Sequence, residues 1–285
     1  MHRLSVSHLT EYVFSENVSL GPHKLLLRPR EGHDIRITSS KLSISPGHMV
    51  RWHRDVYNNS VATVTFTETT SRLSIYSEVN IEHYDDMPMD FVIEDYAVNF
   101  PFLYLSEEEA DLIPYQRPNY PGDSGYLQNW LQQFDINEGE IQTYTILDSL
   151  NKWVYQNFTY QVREEPGVQT PYETIVKQSG SCRDFAALLV EATRCLGLAS
   201  RFVSGYLHSP STETGNGSTH AWAEVYLPGP GWKGLDPTTG ELTDRRHITV
   251  AVTRHPEWAP PVSGSFFGST QVPELHVNVT VNQLP

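Results

Sequence analysis

Two cysteines and twelve histidines are the nucleophilic and basic side chains of this chain, set among a surplus of carboxylates. One cysteine is placed to act as a nucleophile. Cys182 stands in Gly180-Ser181-Cys182-Arg183-Asp184-Phe185-Ala186, a loop that turns into an Ala- and Leu-rich helix ended by Gly197. Ser181 is the predicted N-cap, and Asp184 is spaced for a short-side-chain capping box. A thiol in the first turn meets free backbone N–H groups and the positive end of the helix dipole, and both favour thiolate. The same N–H groups, with Ser181 beside them, can hold an oxyanion that develops on a bound carbonyl. Acyl transfer through a thioester also needs an imidazole to move the proton and a carboxylate to orient the imidazole. His220 and Asp236 are the candidates.

The elements that carry them can be read from alternation. His220-Ala221-Trp222-Ala223-Glu224-Val225-Tyr226-Leu227 is a predicted strand, with His220, Trp222, Glu224 and Tyr226 on one face. Pro228-Gly229-Pro230-Gly231 turns the chain, and Trp232-Lys233-Gly234-Leu235-Asp236 returns until Pro237 stops it. A turn centred near Gly229 or Pro230 pairs residues of like parity, so Asp236 shares the face of His220. Simple pairing sets Asp236 opposite Trp222 or Glu224, and contact with His220 then requires a diagonal reach, a bulge or a slip. Each residue alone is commonplace. A Cys at a helix start, a His opening one strand and an Asp closing the next are specific in combination. Asp184 sets a negative charge near the thiol and opposes part of the dipole, so an imidazolium at His220 is expected to stabilise thiolate more than the helix does. Cys195, on the same helix but far from its N-terminus, reads as a small core hydrophobe. The two cysteines are too far apart along a continuous helix for a disulfide, which points to a reducing compartment.

Around these lie further predicted elements. Ile146, Leu147, Leu150, Trp153 and Val154 recur at helical spacing over Thr143–Asn157. Phe158–Val162 is extended. Thr170 caps a short helix that begins at Pro171. Ala199–Leu207 is a strand, and the polar run from His208 to Thr219 is a loop suited to bordering a substrate entrance and setting specificity. His247–Val252 is a strand, Pro256–Gly268 a loop, and Glu274–Val281 a final strand that joins either the core sheet or the N-terminal one. His247, His255 and His276 are not spaced as a zinc set with any Cys or carboxylate, so neither a metal nor a cofactor is expected.

Residues 1–105 read as a β-domain. Arg3–Thr10, Asp34–Ile37, Lys41–Ile44, Val61–Phe66 and Arg72–Tyr76 alternate, with breakers at Gly21-Pro22, Ser45-Pro46-Gly47 and Asn58-Asn59. That pattern suggests an antiparallel sandwich. Trp52, His53, Tyr57 and His83 are expected as ordinary strand residues. Residues 106–140 form a connector with one or two short helices, one of them over Ser106–Leu112 and begun by the solvated run Glu107–Glu109, and a turn at Gly122-Asp123-Ser124-Gly125.

Two sets of motifs resemble a known family. His8-Leu9-Thr10-Glu11-Tyr12-Val13-Phe14, followed by His23–Arg30, is similar to the opening of the β-domain that precedes bacterial transglutaminase-like catalytic domains. Gly180–Ala186, Arg201–Tyr206, Thr219–Tyr226 and Gly231–Thr238 together resemble the transglutaminase-like core. The resemblance implies an α+β fold, an N-terminal antiparallel β-sandwich-like domain followed by a papain-like core over residues 141–245, with residues 246–285 packing back on both. It implies a triad of Cys182, His220 and Asp236, and an extended stretch near the site where Tyr160 or Gln161 assists substrate binding. Trp222 and Trp232 are candidates to wall the thiolate. The family includes cross-linking transglutaminases, peptidases and amidases, so a peptide or protein amide is the expected substrate. No EF-hand loop is present, which weakens the analogy with calcium-dependent cross-linkers and favours hydrolysis. Transamidation is the alternative, and a non-catalytic scaffold is a third; loss of one triad member would mark the scaffold, and all three are present.

The whole-chain balance narrows the partners. The formal charge is −14 and the pI about 5.2, with no strongly basic segment. Nucleic acid and anionic membrane surfaces are therefore not expected partners. The first residues carry no apolar signal core, and no apolar run is long enough to span a bilayer. A cytoplasmic protein is expected, and the Asn-X-Ser/Thr sequons read as chance matches.

Overall fold

The computed structural model describes residues 1–84, 89–134, 136, 141–163, 165–208 and 218–284. Most of the predicted His208–Thr219 loop, residues 209–217, lies outside them. The N-terminal strands are β1 (His2–Leu20), β2 (His23–Leu25), β3 (Ile35–Ser45), β4 (His48–Arg54), β5 (Ser60–Phe66) and β6 (Thr70–His83). Their side chains alternate as a half-buried sheet requires: Leu73, Ile75, Val79 and Ile81 of β6 are buried, with polar neighbours between them. One sheet runs β3–β6–β1, and a second runs β2–β5–β4. Phe14 and Val18 of β1, Leu25 of β2, Ala62 and Val64 of β5, and Leu73 and Ile75 of β6 fill the space between the sheets. The sandwich is thus present, with longer strands than alternation alone suggested. β1 continues past Thr10, and β6 past Tyr76. The runs Asp34–Ile37 and Lys41–Ile44 are one strand, joined through a register shift between Ile37 and Ser39. β4 escaped the pattern because nearly all of it is exposed.

Among its described residues the connector holds two α-helices, within the one or two expected. α1 (Ser106–Gln116) extends a turn beyond Leu112 and contains Pro114. The turn predicted at Gly122–Gly125 is a 3-10 turn, Pro121–Asp123, running into α2 (Ser124–Leu131). α3 (Thr143–Asn157) has the predicted bounds, and its residues Ile146, Leu147, Leu150 and Val154 enter the core. α4 (Pro171–Lys177) opens on a capping box formed by Thr170 and Glu173. α5 (Cys182–Cys195) follows, and Gly197, at φ +80°, lies just past its end.

α5 packs on an antiparallel sheet of β7 (Ser200–Leu207), β8 (Ser218–Leu227), β9 (Gly231–Asp236) and β10 (His247–Thr253), in the order β9–β8–β7–β10, with the two-residue strand Glu241–Leu242 paired on the outer side of β9. The small residues Ala186 and Ala192 of α5 and Ala221 and Ala223 of β8 let helix and sheet approach closely. Phe185, Leu188, Leu189, Val225 and Leu227 fill the remaining volume. Fully burying each such large side chain contributes roughly 1.5–3 kcal/mol. Trp222, of opposite parity, packs instead with Val203, Val252 and Tyr57.

The last segment ties the two halves together. β11 (Glu274–Gln283) pairs antiparallel with β1, from Leu4↔Gln283 to Val13↔Glu274, so the final strand belongs to the N-terminal sheet. The predicted loop over Pro256–Gly268 contains two short pairings, Val262–Ser263 with β2 and Phe266–Phe267 with β1. Leu4, Val6, Val79, Ile81, Val279 and Val281 of the N-terminal sheet meet Tyr206, Ile248 and Val250 of the core sheet in one apolar cluster. No helix among the described residues is long and apolar enough to cross a membrane.

Candidate active site

The start of α5 is fixed by its own acid. Asp184 has no exposed side-chain surface and accepts from the Ser181 N–H, the Ser181 hydroxyl and the Gln169 N–H, each at 2.8 Å. Arg163 Nη1 donates to it at 2.6 Å. Burial alone would raise the Asp184 carboxyl; these hydrogen bonds outweigh it and hold the group below its ordinary range. The Asp184 charge is therefore spent on Arg163 and the helix cap. The capping box expected of Ser181 and Asp184 is present.

The segment before the helix brings Tyr160 to the same place. Gln178 ends α4 in the left-handed conformation, at φ +49°. The chain is thereby turned so that Ser179-Gly180 pairs parallel with Thr159-Tyr160. Gly180 is required there: a Cβ would lie 2.8 Å from Asp184 Cβ and 3.0 Å from Gln169 Nε2. Tyr160 ends half exposed, its ring edge-on to Phe185. It shares the cavity wall with Cys182, and burial and the adjacent thiol push its pKa up to about 12.

β8 and β9 supply the other two groups. Their register runs from Leu227↔Gly231 to Ala223↔Leu235 without a shift. Asp236 thus shares the parity of His220, and it reaches His220 diagonally with no bulge between the strands. His220 Nε2 lies 2.8 Å from Asp236 Oδ2, and Cys182 stands beside the same imidazole in the wall of one cavity. Burial would lower the His220 pKa, but the bond to Asp236 and the neighbouring Cys182 win and raise it to about 10. Asp236, itself fully buried, is held far below the usual carboxylate range because bonds from His220 and His247 outweigh its desolvation. Its Oδ1 accepts from the Thr238 N–H at 2.9 Å and the Thr238 hydroxyl at 2.7 Å.

Cys182, half-buried, and His220 open on a cavity of about 380 Å³. Tyr160, Val162, Phe202, Ala221, Ala259 and Pro260 give it mainly carbon walls, and Arg163, Arg183 and Glu257 its charge. A thiol, an imidazole bonded to a buried carboxylate, and helix-start N–H groups beside a substrate-sized cavity can perform nucleophilic acyl chemistry.

Residues 4–82 match the bacterial transglutaminase-like N-terminal region, and residues 133–237 match the transglutaminase-like superfamily. An uncharacterised protein of Mycobacterium tuberculosis, Rv2569c, is 30% identical over 306 residues, which cover 98% of this chain and 92% of that one. The chain belongs to the bacterial transglutaminase-like family. Uncharacterised YebA of Bacillus subtilis is 32% identical over 117 residues, 36% of this chain and 15% of its own. A crystal structure named as that of a "putative cysteine protease" from Cytophaga hutchinsonii shares the fold, at a TM-score of 0.77 and 19% identity, covering 100% of this chain and 91% of that one.

Within this transglutaminase-like core the predicted site residues fare differently. Cys182, His220, Asp236, Ser181 and Tyr160 are brought together. Trp222 is buried behind His220, with ring centroids 6.3 Å apart, and does not line the cavity. Trp232 is elsewhere: it packs on Tyr115 and Tyr226 under the Arg201 guanidinium, 4.1 Å from the ring. Trp232 lines a separate, polar cavity rather than the one that holds Cys182. Neither Trp walls the site. Cys195 is half-buried against the core, with burial raising its thiol pKa, as a packing residue. His247 was missed. Its Nε2 lies 3.1 Å from Asp236 Oδ2, and with His220 it forms a group whose donor atoms all lie within 4.8 Å. Spacing along the chain gives no sign of this cluster, because His247 arrives from the far edge strand of the sheet. Two of its three distances are imidazole-to-carboxylate hydrogen bonds, and the third separates the two imidazoles.

Proposed function

We propose that this transglutaminase-like protein is a thiol-dependent acyl-transfer enzyme that hydrolyses peptide or amide bonds. The observation that carries the reading is the convergence of the Cys182 thiol on an imidazole whose other nitrogen, Nε2, is held 2.8 Å from a buried carboxylate. In the proposed cycle His220 takes the thiol proton on Nδ1, the nitrogen not bonded to Asp236. Sγ adds to the substrate carbonyl carbon, and the displaced electron pair moves to the carbonyl oxygen. That oxyanion meets the Cys182 N–H at the start of α5, with Ser181 and the Tyr160 hydroxyl beside it. Collapse breaks the C–N bond; the amine leaves with the proton from His220, and a thioester remains. Water then gives a proton to His220 and adds to the thioester. The second collapse releases the carboxylic acid, and the proton returns to the thiol.

The carbon-lined cavity suits the acyl portion of a peptide or amide. A free thiol nucleophile suits a compartment that keeps thiols reduced, and we place the protein in the cytoplasm on that ground. Iodoacetamide at neutral pH should label Cys182 faster than Cys195, and Cys182→Ala should abolish turnover of peptide and glutamine-amide substrates. Equal labelling together with unchanged turnover would remove the enzymatic reading. Mass spectrometry of products formed with and without a primary amine separates hydrolysis from transfer: incorporated amine in place of a carboxylic acid would make the protein a transamidase.

A further inference from the structure

His247 belongs to β10, an edge strand of the core sheet three strands from Asp236 on β9, and it crosses the sheet to reach that carboxylate. Two features let it do so. Gly205 of β7 lies between them, where a Cβ would stand 2.2 Å from the Ile248 carbonyl oxygen and 2.7 Å from the Trp222 ring. Without a side chain there, the Trp222 ring lies across β7 and meets the His247 ring edge-on, at 5.3 Å. The second feature is a local bracket. His247 Nδ1 lies 3.1 Å from Asp244 Oδ1 and 3.1 Å from the Asp244 N–H. When Nδ1 accepts from the Asp244 N–H, the neutral ring carries its proton on Nε2; when Nδ1 donates to Asp244 Oδ1, Nε2 is protonated in the imidazolium, the form that Asp236 and Asp244 favour.

The environment of His247 is defined on every side. Asp236 and His220 face it from β9 and β8, with the His220 ring centroid 6.1 Å away. Asp244 faces it from its own loop, and from β6 the His83 imidazole bonds its backbone carbonyl at 3.3 Å. A small polar cavity behind it is also lined by Asp34, Glu224 and Lys233. The His247 side chain is 2% exposed.

We infer that His247 is a positioning residue for the proposed triad: by donating Nε2–H to Asp236 Oδ2, it fixes the carboxylate that holds His220. The inference rests on the hydrolase reading above. The chemical argument is a count of acceptor sites. A buried carboxylate offers about four lone-pair sites, and leaving one unfilled costs free energy and favours protonation. Thr238 fills two sites on Oδ1, His220 fills one on Oδ2, and His247 fills the fourth. Thr238 alone would leave the carboxylate able to rock about Oδ1. His247 anchors the other oxygen, so that His220 meets a fixed and ionised partner.

The test uses alkylation of Cys182 by iodoacetamide across pH 5 to 9, which needs no knowledge of the natural substrate. His247→Leu removes the donor. His247→Gln keeps an N–H near the Nε2 position, and His247→Asn places its N–H near Nδ1 instead. Thermal unfolding establishes that each variant is folded. Alkylation at pH 6 is expected to slow about tenfold or more in the Leu and Asn variants and to stay within about twofold of the unsubstituted protein in the Gln variant. Folded Leu and Asn variants with unchanged profiles would overturn the inference; so would a Gln variant as slow as Leu. If Leu does not fold, the Asn–Gln contrast decides. His220→Ala is the control for the underlying reading. A profile unmoved by His220→Ala sinks the triad itself, whereas a profile moved by His220→Ala but not by His247→Leu or His247→Asn sinks only the role of His247.

Discussion

Tyr160 carries its hydroxyl to the thiol from a two-residue strand, yet its ring stays half exposed at the cavity wall. A group so placed can do little for folding and much for a developing oxyanion. Tyr160→Phe is therefore expected to leave thermal stability within about 0.5 kcal/mol. It should lower kcat by roughly tenfold to a hundredfold with KM little changed, somewhat below the loss typical of an oxyanion-hole donor. Steady-state kinetics on any substrate found active would check this, and a rise in KM with kcat intact would assign Tyr160 to ground-state binding instead. His220 makes a prediction about pH. Its pKa is raised from 6.5 to about 10, so the stabilisation it gives is fully present below pH 6.5 and is lost as pH rises through about 10. Unfolding temperature measured from pH 6 to 10 should fall with pH in the unsubstituted protein, and fall less in His220→Gln. Parallel curves would mean the His220–Asp236 bond adds nothing to stability.

Gly205 is where one missing side chain decides the shape of a strand. It lies opposite His220 on one neighbour and Thr249 on the other, and a register shift in the pairing of β7 with β10 falls between Ser204 and Gly205. Gly205→Ala would force a carbon against the Ile248 carbonyl and the Trp222 ring. A cost of about 1–3 kcal/mol is expected in denaturant unfolding, with activity reduced even in the folded fraction because β7, Trp222 and His247 must shift. An alanine variant as stable and active as the parent would show that the sheet yields without consequence. What could be read from sequence follows local physics. α3 has a clear helical period, α4 has its Thr170–Pro171 start, and the parity of β8 and β9 put Asp236 on the face of His220. What could not be read is tertiary. Nothing within a few residues of His247 announces that it crosses a sheet to Asp236. Trp232 has the parity of Asp236 but sits four residues away toward the turn, where Arg201 and Tyr115 claim it. β4 lacks an apolar face, so no alternation marked it, and Pro114 obscured the last turn of α1, which the proline does not end.

The N-terminal sheet and the core sheet share an apolar seam, and β11 contributes Val279 and Val281 to it. Removing residues 274–285 should therefore cost both halves. It strips β1 of ten paired positions and uncovers Leu4 and Val6. A loss of several kcal/mol is expected, enough to lower the unfolding temperature by roughly ten degrees or more, with association of the exposed β1 edge visible by size-exclusion chromatography. A monomeric truncation with unchanged unfolding would mean the strand is an ornament on a sheet that stands alone. The pairing of β1 with β11 also imposes an order on synthesis. β1 and β6 leave the ribosome early, while β11 follows roughly 190 residues later, a delay on the order of ten to forty seconds at ordinary elongation rates. The strands and helices around Cys182 lie within that interval and can close on one another first. The nascent chain thus carries an unpaired β1 edge for most of its translation, and it is there that a chaperone would find this protein.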